Sequence, residues 1–220
     1  MHMDLFHTKM KKKKSNSKEA NEPELSQPNI HSLALVDASC SLGNNVTIRQ
    51  FSSIMDDCSI GEGSLLGQNV YIPNGVTIGR NCQIQNNVSF YTGVICHDNV
   101  YIGPSVVFTN IFYAHLHSNV NQKRGSEKTV IERGVTIGAN ATIICGVTIG
   151  QFAFVSAGSL ITTDVKAYAL ITGNPAKQIG WMSEHGCKMN FLNKTRTAVC
   201  PKSGIVYKLE QNLVRKIEQH

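Results

Sequence analysis

The chain lacks the features that mark several large protein classes. No apolar run in its 220 residues approaches the ~20 needed to span a bilayer. No apolar signal-peptide core follows the lysines near the start. Phosphate-cradling glycine loops, nucleic-acid modules and metal-ligating clusters are missing. The cysteines number seven, an odd count, and Cys187 and Cys200 have no CxxC spacing of the kind a zinc site uses. A membrane span, a nucleic-acid partner and a metal centre are therefore not expected. Acidic residues are also scarce, 15 against 21 Lys and Arg, for a net charge of +6. That balance favours an anionic ligand without identifying one.

What is present begins with a leader. Residues 1–30 contain "KKKKSNSKEANEPELSQP", polar, charged and without periodicity, and read as a disordered basic leader. Residues 31–170 are of another kind. From Val36 the sequence divides into sixes: VDASCS, LGNNVT, IRQFSS and onward to IGPSVV, then IERGVT to ITTDVK. Eighteen complete sixes can be written, and Cys96 is the one first-place residue that is not Val, Leu, Ile or Phe. The fifth place holds only Val, Ala, Ser or Cys, and the fourth is Gly, Asn or Asp in fourteen of eighteen.

Each column has a physical reason. A large and a small side chain four apart both point inward on a short extended segment. The fourth place is a corner, where Gly, Asn and Asp best tolerate a left-handed backbone. A fixed hexapeptide period marks a parallel β-helix, three sixes to a triangular coil of eighteen residues. The fold class is all-β. Cys40, Cys58 and Cys82 fill the small inward column and Cys96 the large one. Thiols used as small hydrophobes fit a reducing, cytoplasmic setting. Residues 171–220 lose the repeat and are expected to cap the open end, with "YKLEQNLVRKIEQH" as a closing strand or helix.

The period allows outward third-place residues to be stacked. Ala139 and Ala157, flanked by Gly138, Ser156 and Gly158, would form a column of small residues beside bare backbone, which suits a long thin ligand. Gln50, Gln68, Asn86 and Pro104 form what reads as a second column.

These motifs carry a resemblance. The repeat resembles the left-handed β-helix of the hexapeptide acyltransferases, and the handedness comes from that resemblance alone. "TIGANATIICGVTIG", "VSAGSLITTDV" and "ITGNPAKQIGWM" look like the coenzyme A end of that family. The resemblance implies acetyl-CoA as cosubstrate, with Gly138, Ala139, Ser156, Ala157 and Gly158 along the pantetheine arm and Lys177 near the phosphates. Thr163 departs from the pattern, since relatives often carry Lys or Arg there. "SLGQNVYI" and "QIQNNVSFYTGV" resemble the N-acetyltransferases of nucleotide-linked 3-amino sugars. The best-known members of that subfamily acetylate a UDP-linked 3-amino glucuronic acid derivative in bacterial surface-polysaccharide, including lipopolysaccharide, synthesis, and the resemblance implies a UDP- or dTDP-linked 3-amino sugar as acceptor here. It implies Gln68, Asn86 and Tyr91 at the nucleotide-sugar site, and a homotrimer with sites between subunits.

The repeat breaks once, across a loop at residues 110–130. Loops on rigid scaffolds are where active sites concentrate. This one carries His115, His117, Lys123, Arg124 and Glu127 as candidate substrate-handling or catalytic groups. In the resembling subfamily "VFTN" opens the loop with its Asn at the reacting amine, which here is Asn110. Asn110 would accept a hydrogen bond from the amine and aim it at the thioester. Relatives tend to read "VYNPR" where this chain has "IFYAH", so His115 takes roughly the place of an Arg that would suit a carboxylate, and the departure points to a different sugar, either a neutral deoxy sugar or a dTDP-linked one. Two other readings stay open. One is a sugar O-acetyltransferase with His115 or His117 as base. The other is a non-catalytic β-helix scaffold.

Overall fold

The computed structural model describes residues 27–110, 128–192 and 194–217. The described residues form strands and turns with no helix. Two-residue strands occupy the sixth and first places of each six, and they pair in parallel with the strand eighteen residues on, as Gln83 does with Leu65 on one side and Tyr101 on the other. Three faces result. The first runs from Asn29–Ile30 through Tyr101–Ile102 to Ala169–Thr172, within a ten-stranded sheet. The second holds Tyr71–Ile72, Val107–Phe108 and Leu160–Ile161, and the third Ser59–Ile60, Val94–Cys96 and Thr148–Ile149. The parallel β-solenoid expected from the sequence is the fold.

The columns behave as expected. First-place Ile48, Ile84 and Ile102 and fifth-place Val46, Val70 and Val88 are wholly buried. Cys58, Cys82 and Cys96 join the same core and Cys40 packs against it. Fourth-place residues take the left-handed conformation, among them Asn45 at φ 57°, Asn69 at 54° and Asn87 at 60°. Asn87 is therefore a turn residue. Phe152 adopts it too, at φ 56°. Its ring is sandwiched by Tyr168, 5.4 Å between centroids, and the Arg133 guanidinium at 5.2 Å.

Second-place glycines serve coil stacking. A Cβ on Gly103 would sit 2.6 Å from the Ala139 nitrogen in the next coil. Backbone cannot give way there, so Gly103→Ala should destabilise the solenoid by roughly 1–3 kcal/mol, measured by urea denaturation.

The register also corrects the count of repeats. Tyr101 pairs with Thr136 and Cys96 with Ile131, each thirty-five residues on instead of eighteen. Seventeen extra residues, 111–127, thus stand inside one six, whose halves are Phe108–Asn110 and Lys128–Val130. Thr129 is the fifth-place residue of that divided six and is 2% exposed. One more six precedes Val36, since Ile30 pairs with Ile48.

The C-terminal segment turns back as the antiparallel strand Lys177–Met182 and then forms a three-stranded antiparallel sheet, Thr197–Val199, Val206–Glu210 and Leu213–Ile217. The closing segment, expected as one strand or helix, is a pair of antiparallel strands. Tyr207 is fully buried with its ring edge-on to Tyr168 at 5.6 Å. The Tyr168 hydroxyl donates to Glu184 at 3.2 Å, and burial together with that carboxylate holds the phenol above its usual range. Lys216 meets the other Glu184 oxygen at 3.2 Å. Ser183 joins the two tail cysteines: its hydroxyl lies 3.2 Å from the Cys200 sulfur and accepts the Cys187 N–H at 3.1 Å.

Candidate active site

The candidate residues lie on two edges of the prism, divided by the second face. The first edge follows the first-face strands. Gln50, Gln68, Asn86, Pro104, Ala139 and Ala157 succeed one another along it, so the two columns read from the sequence are one. The second edge follows the second-face strands and carries Thr92, Asn110, Cys145 and Thr163, with Tyr91 one coil from Thr109. A face of about six extended residues separates the edges, roughly 15–20 Å. Tyr91 therefore belongs with Asn110, whereas Gln68 and Asn86 belong with Ala139 and Ala157. Thr163 stands on the Asn110 edge and not on the Ala157 edge. His115, His117, Lys123, Arg124 and Glu127 lie outside the described residues.

On the Asn110 edge the chain must leave for the loop without unravelling the coil. At an ordinary edge the fourth-place N–H bonds to the third-place carbonyl one coil back, as Asn87 does to Gln68 at 2.9 Å and Asn140 to Pro104 at 3.0 Å. At the loop two threonines take over. The Thr109 hydroxyl accepts the Cys145 N–H at 3.1 Å, and the Thr129 hydroxyl accepts the Gly146 N–H at 3.1 Å. The two stubs are thereby tied to the next coil, and half-buried Asn110 is held in place by its neighbour. Sequence reasoning gave Thr109 no role beyond its place in "VFTN" and missed Thr129. Their signal was the divided six, in which each occupies an outer or inner place that the register defines.

The Ala139 edge changes character along its length. Asn86 Oδ1 accepts the Gln68 N–H at 2.8 Å, so that side chain closes the coil beneath it. Asp98 does the same for the Arg80 N–H on the third edge, at 2.7 Å. Alanine has no such acceptor. Among the described residues the N–H groups of Ala139 and Ala157 have no partner, and a Cβ on neighbouring Gly158 would meet open space. Two donors about one coil apart, roughly 4.8 Å, thus stand bare on an open edge. They fit the amide-rich pantetheine arm. Gly138 has a different task. A Cβ there would strike the Ala157 nitrogen, so its smallness serves coil approach.

The upper end of this edge adds two groups. Lys177 pairs with Thr172 in the hairpin that continues the first face above Ser156, and its side chain is exposed. Ser159 is 1% exposed and its hydroxyl has no partner among the described residues. Ser52, in the same column, donates to Gly67 at 2.8 Å and accepts from Val70 at 3.1 Å. The hairpin replaces the coil that would have served Ser159.

The capping rule makes a test. Ala157→Asn would give the Ala139 N–H the acceptor that Asn86 gives Gln68. If the Ala139 N–H holds a coenzyme A arm, coenzyme A affinity should fall at least about tenfold by calorimetry, the loss of one hydrogen bond plus a steric block. The melting temperature should stay level or rise.

Comparison with known proteins follows the same lines. A model described as bacterial transferase hexapeptide (six repeats) matches residues 39–74 and 128–163, and one described as hexapeptide repeat of succinyl-transferase matches 58–91. A dTDP-3-amino-3,6-dideoxy-alpha-D-galactopyranose 3-N-acetyltransferase from Aneurinibacillus thermoaerophilus is 36% identical over 90 residues, 41% of this chain and 45% of that protein. A 2,3,4,5-tetrahydropyridine-2,6-dicarboxylate N-acetyltransferase from Staphylococcus aureus is 37% identical over 86 residues, 39% of this chain and 32% of that one. The matches thus span less than half the length of these curated relatives. Among solved structures, the polySia-specific acetyltransferase NeuO aligns over 70% of this chain and 82% of its own, at 20% identity and a TM-score of 0.50, which shows the shared fold.

Proposed function

We propose, for a chain that belongs to the hexapeptide-repeat transferases, that it moves an acetyl group from acetyl-CoA to the amine of a nucleotide-linked 3-amino sugar. The observation that carries this reading is the stretch of edge at Ala139 and Ala157, where two N–H donors one coil apart stand without partners among the described residues and only small side chains and the open space at Gly158 lie beside them. The relative acting on a dTDP-linked 3-amino-3,6-dideoxy sugar supports the acceptor class. His115 stands where the resembling subfamily tends to carry an Arg, a departure that bears on which sugar is taken and not on the acceptor class.

The chemistry asks little of the protein. An uncharged amine is already nucleophilic. Asn110 Oδ1 accepts a hydrogen bond from the amine N–H and turns the lone pair toward the thioester carbon. A backbone N–H beside the groove stabilises the oxyanion. The C–N bond forms, the C–S bond breaks, and the departing sulfur takes the amine proton. Lys177 meets the coenzyme phosphates at the upper end of the Ala139 edge. Gln68 and Asn86 meet the nucleotide sugar lower on that edge, and Tyr91 meets it beside Asn110.

Asn110 and the Ala139 edge lie across a full face of one chain. The site is closed when the Asn110 edge of one protomer meets the Ala139 edge of the next, as a homotrimer would arrange. The second face offers apolar cover for such contact in Leu35, Tyr71 and Val107, which are 69%, 41% and 39% exposed. Light scattering should return a trimer, and a monomer with full activity would refute the shared site. A cytoplasmic location follows from the two substrates proposed.

The deciding experiment supplies acetyl-CoA with a panel of UDP- and dTDP-linked 3-amino sugars and follows thiol release. Turnover with one 3-amino sugar is the expected result. Silence across the panel, with coenzyme A still bound, would move the acceptor to a hydroxyl and the base to His115 or His117.

A further inference from the structure

Charge is segregated along this chain. Residues 27–182 hold eight Lys and Arg against eight Asp and Glu, whereas residues 183–217 hold seven against two. The solenoid is neutral and the C-terminal segment that follows it is strongly basic.

The sheet concentrates those cations. Lys208 and Arg215 stand directly opposite one another on adjacent strands. Like charges so placed destabilise a sheet unless an anion lies between or above them. Glu210 answers one, 2.7 Å from the Lys208 ammonium, and its carboxyl is held below the usual range first by Lys208 and then by Arg215. Lys194 and Arg196 line the same groove of about 540 Å³, and no ion pair involves either among the described residues.

A second groove of about 520 Å³ abuts the first, the two sharing Arg196 and Leu209. Its walls are mostly apolar, with Ile179, Trp181, Met189, Phe191 and Leu192, and Lys188 stands at the rim. Leu192 is 91% exposed and Ile179 54%. A basic groove thus opens into an apolar one, with a protruding leucine between cations.

We propose that this C-terminal sheet docks the protein on an anionic lipid surface, phosphate headgroups lying along Lys194, Lys208 and Arg215 while Leu192 and the apolar groove take up acyl chain. The arrangement is that of interfacial binding, in which apolar insertion and attraction to anionic headgroups act together. A nucleic acid would use the cations and leave the exposed leucine in water, and an acidic peptide would need an apolar side chain set at one spacing, whereas a lipid surface meets cations and leucine together. A second copy of this sheet, or the lysine-rich leader, carries the same sign of charge and is repelled. The inference is independent of the acyl-transfer reading.

The test is co-sedimentation of the full chain with phosphatidylcholine vesicles, with and without about a quarter phosphatidylglycerol, at low and high salt. The unaltered protein should bind only the anionic vesicles and release at high salt. The Lys194→Glu/Arg215→Glu variant should bind at least about tenfold more weakly, since each cation near the surface contributes roughly a fivefold factor. Leu192→Ser should weaken binding several-fold at unchanged charge. All three sites are exposed, so circular dichroism should be unaltered. No binding by the unaltered chain would overturn the proposal. So would equal binding by both variants, which would place attraction on Lys11–Lys14. Tighter binding to duplex DNA or polyglutamate, indifferent to Leu192→Ser, would overturn it in favour of a polyanion.

Discussion

Replacing Asn110 by alanine should lower turnover roughly a hundredfold or more while leaving coenzyme A affinity and the oligomer unchanged. The magnitude is that of losing alignment between an amine and its electrophile. Alanine removes the acceptor without disturbing the coil, because the ties to the next coil come from Thr109 and Thr129 and not from the Asn110 side chain. The drop should appear in kcat at saturating sugar, and KM for acetyl-CoA should stay put. Asn110→Asp is the informative companion. It keeps an acceptor but adds charge, and should retain more activity than alanine. If His115→Ala or His117→Ala proves more damaging than Asn110→Ala, a histidine base carries the reaction, and a hydroxyl acceptor gains ground.

The second large effect concerns the core beneath that residue. Phe108 is fully buried and stacks on Phe90, centroids 4.9 Å apart and planes 14° from parallel. Phe108→Ala should destabilise the protein by about 3–5 kcal/mol, the sum of lost burial and a cavity that the flanking coils cannot close. Two-residue strands pair only with their neighbours, so the damage should concentrate in the coils on either side. Hydrogen exchange should show Val107 and Ile143 losing protection before Ile48 does. Activity should fall more than stability predicts, since Phe108 seats the strand that delivers Asn110. Val107, the adjacent outward residue, offers the contrast. If Val107→Ala weakens the oligomer at unchanged monomer stability, the second face is the subunit contact.

Much of this protein is legible in its sequence. Three in-phase columns demand a parallel solenoid, because only that fold gives every sixth residue the same environment. The corner residues, the buried thiols and the placing of Ala139 beneath Ala157 follow from counting. What counting could not supply was the length of the insertion relative to the repeat. Only the pairing of Tyr101 with Thr136 shows that seventeen residues are added inside one six. That offset merges the two columns into one edge, sends Asn110 and Thr163 to another, and pairs Tyr91 with Asn110.

The sequence by itself determined the coil, since burial and turn geometry repeat locally every six residues. The tertiary structure alone decided which residues share an edge, which backbone N–H groups are left without an acceptor, and where charge gathers. Those depend on contacts between residues eighteen or thirty-five apart, and on a terminal sheet whose strands obey no repeat. Asn86 and Ala157 occupy the same place in the pattern. One closes its coil and the other leaves it open, and the difference lies in what a side chain can reach across the stack.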